Sequence, residues 1–515
     1  MSKIQLIISS VIIFLSFIIY AQTPDLPDTD VLKNNDDFRN PIAVNSDNAD
    51  NSQNAENVNI DVQVVYGQYN NMNSVVSISQ ESENFVYLLN SDFKRSNDYG
   101  YNQNLFDNSS YYKNKIEFTG NINFSETLKS INEIYIDNDS KGMFDNPNYS
   151  HEDKDKFYIK STNVKKFSPK VEGFSTIAYS SYKHRLVGGE LQNSDSSDLN
   201  NVFFANGGEI IWSSSNRLKL NTEISRYFYS ENEDDFHVSG QLVDDFKISS
   251  YVGISIGANV QYDQDMKLLG YNNENYPYFI PVIPGVFAIS IKGLKYTSLS
   301  IQYSGEYEFF KPEVFYFQQD FILPSYDLPS SRVHNLSLKC DFKYTDRVAF
   351  KFSGYLKGYD NYLTYKPQVE NNERGNVLSS FYFPAIISVV ESSGEFSLIP
   401  DVLFFTAGYK YFHSYETEYN IIYTPEHTSD GSIRLDTDYG SIEWKNSYLS
   451  DVYIDPESDE KMKFSIVGDL NVLIKTADTL FINVKLENLY NTEYFIREGY
   501  PESGFTALLG LKIIL

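Results

Sequence analysis

Phe505-Thr506-Ala507-Leu508-Leu509-Gly510-Leu511-Lys512-Ile513-Ile514-Leu515 is the stretch on which the fold turns. One face carries Phe505, Ala507, Leu509, Leu511, Ile513 and Leu515, and between them stand Thr506, Leu508, Gly510, Lys512 and Ile514. Period two is the signature of a strand. An apolar face that runs unbroken to the last residue suits the closing strand of a barrel, which pairs with the first strand and leaves no open edge. The expectation is that Phe505 to Leu515 lies antiparallel beside a strand within Val62 to Tyr69.

The same rhythm recurs upstream. In Lys115 to Phe124, Ile116, Phe118, Gly120, Ile122 and Phe124 oppose Lys115, Glu117, Thr119, Asn121 and Asn123. In Asn335 to Tyr344, Leu336, Leu338, Cys340, Phe342 and Tyr344 oppose Asn335, Ser337, Lys339, Asp341 and Lys343. Leu218 to Ile224, Leu299 to Phe309, Val348 to Gly358, Phe464 to Ile474 and Ile482 to Leu486 are further copies. Alternation alone fits a soluble sandwich as well as a barrel. The longer segments run to about ten residues, the length that crosses an outer membrane, whereas globular strands peak near five or six. Tyr and Phe crowd the strand ends, as in Tyr227-Phe228-Tyr229, Phe309-Phe310, Phe315-Tyr316-Phe317 and Tyr409 to Phe412, where interfacial girdles belong. No run after residue 22 approaches 18 consecutive apolar residues, so insertion in a bilayer requires a closed barrel. Ile116, Phe118, Ile122, Leu336, Leu338, Cys340, Phe342, Phe505, Leu509 and Leu511 are then expected to face lipid.

Composition narrows the function classes. Among 515 residues, 69 Asp and Glu outweigh 42 Lys and Arg, for a formal charge of −27. A nucleic-acid partner is excluded by that balance. Aromatics make up 16% of the chain, with 42 Tyr and 37 Phe, which is a strand composition. No break in composition divides residues 60–515, so one large all-β unit is expected there. Lys3 precedes the apolar run Ile4 to Ile19, and Tyr20-Ala21-Gln22 follows; residues 1–21 read as a secretory signal peptide. Residues 22–59 are rich in Asp and Asn and poor in anything that could bury, and read as a disordered, solvated tail.

Chemistry-bearing constellations are few. Cys340 is the single cysteine, and His151, His184, His237, His334, His413 and His427 are scattered one per segment. No catalytic, metal or cofactor site is expected from them. His151-Glu152-Asp153-Lys154-Asp155 and Ser230-Glu231-Asn232-Glu233-Asp234-Asp235 read as solvated acidic loops, without the Gly-centred spacing of a calcium loop. Gly188-Gly189 reads as a periplasmic or lumenal turn.

Two segments carry a family resemblance. Glu487-Asn488-Leu489-Tyr490-Asn491-Thr492-Glu493-Tyr494, followed by Arg497-Glu498-Gly499-Tyr500-Pro501-Glu502-Ser503-Gly504 and the closing strand, resembles the C-terminal end of TonB-dependent receptor barrels. The family pattern has Arg where Phe505 stands and a terminal aromatic where Leu515 stands. Val64-Val65-Tyr66-Gly67-Gln68-Tyr69 resembles the family's first barrel strand, and Ser96-Asn97-Asp98-Tyr99-Gly100-Tyr101-Asn102 the loop after it.

The resemblance implies a single antiparallel transmembrane β-barrel of about 22 strands, with 18 or 20 left open, over residues 60–515 in the cell outer membrane. It implies outer-membrane lipid and the barrel-assembly machinery as partners, and a role in uptake of a small ligand. It also implies a globular plug, but residues 22–59 lack the apolar content to fold as one. The plug is therefore expected to be absent here and supplied, if at all, by a separate chain; coupling to a TonB-type energy-coupling protein is left open. Lys115, Glu117, Lys339, Asp341, Lys343, Lys485 and Glu487 are the candidate lumen-facing residues. Asn138 to Asp155, Glu190 to Asn201 and Gly270 to Pro284 are the polar connections expected to narrow the pore. The alternative is a surface-exposed, adhesin-like barrel whose loops carry recognition.

Overall fold

The computed structural model describes residues 57–515 except 83, 99, 102–103, 106–108, 144–148, 189–194, 230–233, 264–278, 295, 309–319, 324–330, 346, 368–376, 416–417 and 498–499. The expected signal peptide, residues 1–21, and nearly all of the expected tail, residues 22–59, lie outside the described residues, as do Phe309-Phe310 and Phe315-Tyr316-Phe317.

Twenty-two strands form one sheet. The first eleven are β1 (Asn57–Gly67), β2 (Met72–Glu81), β3 (Phe85–Ser96), β4 (Tyr111–Ser125), β5 (Leu128–Gly142), β6 (Tyr149–Ser168), β7 (Val171–Gly188), β8 (Asp195–Ile211), β9 (Asn216–Tyr229), β10 (Asp234–Lys247) and β11 (Val252–Asp263). The rest are β12 (Phe279–Leu294), β13 (Thr297–Glu308), β14 (Ser331–Thr345), β15 (Val348–Pro367), β16 (Leu378–Ile399), β17 (Leu403–Tyr415), β18 (His427–Thr437), β19 (Gly440–Leu449), β20 (Ser465–Ala477), β21 (Leu480–Glu487) and β22 (Thr506–Ile514). Each runs antiparallel to its neighbour in sequence, and β22 pairs back to β1. The sheet is a closed barrel, all-β, with no α-helix among the described residues.

Closure follows from the alternation at the chain end. Asp61 to Gly67 pair with Ile514 to Leu508 in unbroken register, and Ile60 and Leu515 exchange both backbone hydrogen bonds at 2.8 and 2.9 Å. β1 starts at Asn57, three residues before the boundary the composition suggested. Lys512 Nζ meets Asp61 Oδ2 across the seam at 2.8 Å. Gly510 is required there, because a Cβ would collide with the Val64 carbonyl oxygen.

The segment before β22 shows why asparagine brackets its Leu-aromatic pair. Asn488 and Asn491 both have positive φ, 49° and 48°, a conformation that asparagine tolerates better than most residues. The Asn488 side chain donates to the carbonyls of Thr492 (2.9 Å) and Ser503 (3.0 Å) and accepts from the Thr492 N–H (2.9 Å). Tyr490 donates to Asn446 Oδ1 at 2.5 Å, and its ring lies where a Cβ on Gly468 would come within 2.7 Å.

Lateral register sorts the two faces. Leu89, Phe118, Ile134, Ile159, Tyr179 and Val202 form one row across β3 to β8. Leu336 pairs with Leu356, Cys340 with Phe352 and Phe342 with Phe350. Ile177, Leu336 and Leu509 on this face are 58%, 50% and 61% exposed, the exposure that lipid would cover. The opposite face carries the polar rows, such as Lys115, Asp137, Lys156, Tyr182 and Leu199. Along β14, a Tyr303–His334 pair (Oη to Nδ1 2.8 Å) marks one edge of the apolar belt and a Tyr296–Tyr344 pair (5.0 Å) the other. Ten positions at about 3.4 Å, tilted by about 40°, give roughly 25 Å, the height of an outer-membrane apolar band.

The rims differ. Two residues separate β4 from β5, β6 from β7, β18 from β19 and β20 from β21, whereas 22 separate β13 from β14 and 18 separate β21 from β22. Short turns face the periplasm and long connections the exterior. Gly188 ends β7 on the exterior rim, not at a periplasmic turn. Two of the expected polar connections prove to be largely strand. Asn138 to Asp155 is the tip of the β5–β6 hairpin, with Asn138 and Asp155 in register, and Asp195 to Asn201 belongs to β8. Of the third, residues 270–278 lie outside the described residues and Phe279 to Pro284 opens β12.

Candidate functional site

The β5–β6 tip extends above the apolar belt because opposite charges face each other across it. Asp137 pairs laterally with Lys156, Asp139 with Lys154 and Lys141 with Glu152. Outward, Asn138 donates to Asp155 (2.7 Å), Ser140 to Asp153 (2.6 Å), and Arg185 on β7 meets Asp153 at 3.2 Å. Such a polar exterior belongs in water, beyond the bilayer.

Inward, the same tip holds a buried ionic chain. His184 Nε2 and Glu152 Oε1 are 2.6 Å apart, and Glu152 Oε2 meets Lys154 Nζ at 3.2 Å. Lys154 Nζ then reaches Asp320 Oδ1 at 2.9 Å, and Lys141 Nζ reaches Asp320 Oδ2 at 2.5 Å. Asp320 is not part of the wall; it comes from the connection between β13 and β14. Burial alone would raise its carboxyl's pKa, but Lys141 and Lys154 outweigh that and hold it well below the ordinary range. Burial likewise opposes the charge on Glu152, and Lys154 and His184 prevail, so it too is lowered. Lys154 is raised, since Asp320 and Glu152 overcome its desolvation. Asp139 goes the other way: burial, aided by Asp320 and opposed by Lys113, pushes it up to about 6.

The residues after Asp320 cross the interior. Phe321 stacks on Tyr500 at 4.4 Å and lies 5.5 Å from the Lys141 ammonium. Its φ of 58° costs about 1 to 2 kcal/mol for a residue with a Cβ, so its neighbours must impose it. Leu378 N–H donates to the Phe321 carbonyl (2.8 Å), and Leu323 N–H to the Leu378 carbonyl (2.7 Å). Ile422 and Tyr453 form a second parallel bridge. Around these bridges one buried cluster gathers Tyr182, Leu199 and Tyr227 from β7 to β9, Tyr365 and Leu378 from β15 and β16, and Ile322, Ile422 and Val452 from exterior connections. Ile322, Leu378 and Ile422 are at most 1% exposed. Two arcs of wall, five strands apart, are therefore joined through loop residues packed inside the exterior rim.

The sequence candidates lie elsewhere. Lys115 and Glu117 pair with each other at 2.7 Å on the polar face of β4. Lys339, Asp341 and Lys343 occupy one face of β14, and Asp341 accepts from Ser298 at 3.3 Å. Lys485 and Glu487 on β21 stand beside Leu508 and Thr506 of β22. None of the seven joins this buried cluster or the ionic chain beside it. Other charges on this face also pair locally: Lys219 with Asp245 (2.8 Å), Arg217 with Glu209 (3.1 Å), Lys160 with Glu133 (3.1 Å) and Lys410 with Glu391 (3.2 Å). Sequence reasoning missed Lys141, Glu152, Lys154, His184 and Asp320, having taken the Glu152 run for a solvated loop. Reverse charge complementarity between Asp137–Lys141 and Glu152–Lys156 was the available signal. Among the described residues, no group of three or more His, Cys, Asp or Glu is arranged to hold a metal ion.

No family model and no curated protein matches this sequence. Solved structures do match its fold. The copper transporter OprC superposes with a TM-score of 0.67 at 10% identity, over 90% of this chain and 82% of that one. The siderophore receptor PirA from Acinetobacter baumannii gives 0.66 at 11% over 90% and 81%, and the FrpB iron transporter from Neisseria meningitidis 0.66 at 9% over 90% and 83%. This chain shares their fold, a closed antiparallel barrel of 22 strands.

Proposed function

We propose that this chain is an uptake barrel of the TonB-dependent receptor type, admitting a small ligand through a mouth closed by its own loops. The observation that carries the reading is the buried cluster joining β7–β9 to β15–β16 inside the exterior rim. An adhesin-like barrel would display its loops outward, whereas here Ile322, Leu378 and Ile422 are withdrawn from water. A cap over a barrel this wide serves to control passage, since a 22-stranded lumen is broad enough to leak unless it is filled.

In this reading Lys115, Glu117, Lys339, Asp341, Lys343, Lys485 and Glu487 line the path. Phe505, Ala507, Leu509, Leu511, Ile513 and Leu515 form the lipid face of the closing strand that the assembly machinery handles. The Asp- and Asn-rich composition of residues 22–59 is poor in the apolar content a folded plug needs, which supports a plug supplied by another chain. A separately encoded plug and a TonB-type energy-coupling protein are the partners to seek. The neighbours' names speak of copper, siderophores and iron, which supports a small solute as cargo.

Planar-bilayer recording with the purified chain tests the proposal. Rare or small steps are expected from the wild type, and large, discrete steps from Ile322→Asp/Ile422→Asp, which places charge in the buried cluster. Silence from both, with barrels shown to be folded, would remove the transport reading and favour a scaffold.

A further inference from the structure

Arg95 stands on β3 in the lateral row Met72, Arg95, Tyr112, Ser140, Asp153 and Arg185. Six positions separate it from Leu89 on the same strand, so it shares the outward face of Leu89 and Phe118. Among the described residues its guanidinium forms neither a hydrogen bond nor an ion pair, and its Nε is buried. Arg185, Arg217 and Arg434, by contrast, each meet a carboxylate. The first acid along the row is Asp153, three strands away or roughly 14 Å, and Ser140 and Arg185 already engage it. Asp92 lies on the other face of β3, in register with Lys115. Asp98 accepts from the backbone N–H groups of Ser109 and Ser110.

Depth gives this charge its meaning. Phe85 and Tyr87, with ring centroids 5.4 Å apart, mark the periplasmic end of β3, and Arg95 is ten positions beyond Phe85. The same count separates His334 from Tyr344, so Arg95 sits at the exterior edge of the belt, roughly 25 Å from Phe85. Phe93 and Tyr112 pack edge to face at 5.6 Å beside it. An arginine so placed lays its stem on apolar surface and holds its head at the interface, where an anion must come from outside the chain.

We propose that Arg95 is a lipid site, at which the guanidinium takes the phosphate of a headgroup in the outer leaflet. A planar fork of N–H donors pairs with two phosphate oxygens at once. The acyl chains of that lipid run down the outward side chains below, Ile116, Ile136 and Phe157, which are neighbours across β4 to β6. One molecule thus answers both the charge and the apolar surface beneath it, which a soluble anion cannot do. The site rests on this face meeting lipid and is independent of what passes through the lumen.

Native mass spectrometry of the purified full chain in non-ionic detergent tests it. Dioleoyl phosphatidic acid is the probe, and dioleoylglycerol, with the same chains and no phosphate, is the comparison. The wild type should retain one phosphatidic acid about fivefold more tightly than dioleoylglycerol, the effect of one basic residue at a membrane surface. Arg95→Gln should lose that preference, and Arg95→Lys, which keeps the charge without the fork, should fall between. Arg185→Gln, in the same row but already paired, should leave it unchanged. Equal retention of the two lipids by the wild type, an undiminished preference in Arg95→Gln, or an equal loss in Arg185→Gln would overturn the proposal. The wild-type comparison stands without any variant, should Arg95→Gln fail to fold. Inorganic phosphate in excess should leave the lipid bound; its displacement would make this a soluble anion's site and overturn the lipid assignment.

Discussion

Placing arginine at two adjacent positions of β14 tests which face of the wall meets lipid. Leu338 belongs to the row set that includes Leu336, Cys340 and Phe342, and Ser337 points to the other face at the same depth. Both lie near the middle of the belt bounded by His334 and Tyr344. An arginine facing lipid near the midplane costs about 2 to 4 kcal/mol. Loss of the leucine's own transfer from water adds on the order of 1.5 to 3 kcal/mol. Leu338→Arg should therefore destabilise the barrel by about 3.5 to 7 kcal/mol, while Ser337→Arg, facing an aqueous lumen, should stay within about 1 kcal/mol. Urea titration in short-chain lipid vesicles, followed by Trp212 and Trp444 fluorescence, reads both. At the lower bound, about 3.5 against 1 kcal/mol, the two variants differ by roughly 70-fold in folding constant. Equal penalties, or a larger one for Ser337→Arg, would invert the facing of the whole wall.

Asn488→Ala removes three side-chain hydrogen bonds and an αL-tolerant residue; a loss of about 3 to 4 kcal/mol is expected in the same titration, and a change below about 0.5 kcal/mol would mean the turn is held by something else. Gly510→Ala should block closure, read as failure to gain the fast-migrating, heat-sensitive electrophoretic form, and normal compaction would show the seam to be looser than its register implies. Asp139 supplies a pH prediction. Its folded pKa, about 6, exceeds the ordinary carboxyl value, so the folded state binds the proton first and this group's contribution to stability rises as pH falls through 6. Asp320, held low, keeps its charge over that range. Amide protection at the β5–β6 tip, corrected for intrinsic exchange, should be higher at pH 5 than at pH 7.5; lower protection at pH 5 contradicts the assignment.

Barrel and closure were legible because they rest on period-two alternation, a local signal that repeats in nearly every strand. Phe505 to Leu515 and Asn335 to Tyr344 each show it within about ten residues. The cap was not legible for the opposite reason. Asp320 contacts Lys141 and Lys154 across more than 160 residues, and nothing near it in sequence marks it as a partner. The β5–β6 tip misled because outside the bilayer a strand no longer needs an apolar face. Its pairing is instead written as matched charges, which look like a loop when each half is read alone.

The distance in sequence between the pin and its socket has a consequence for how the protein matures. Lys141 and Lys154 can enter the membrane with the first strands, but Asp320 and the residues that pack beside it from β15 onward arrive later, and Tyr500 belongs to the last connection before β22. Contacts so far apart along a chain form late. The seam that joins Ile60 to Leu515 spans more of the chain still, so by the same measure Asp320 can meet its two lysines before the wall seals, and the barrel that closes is one whose interior contact is already made.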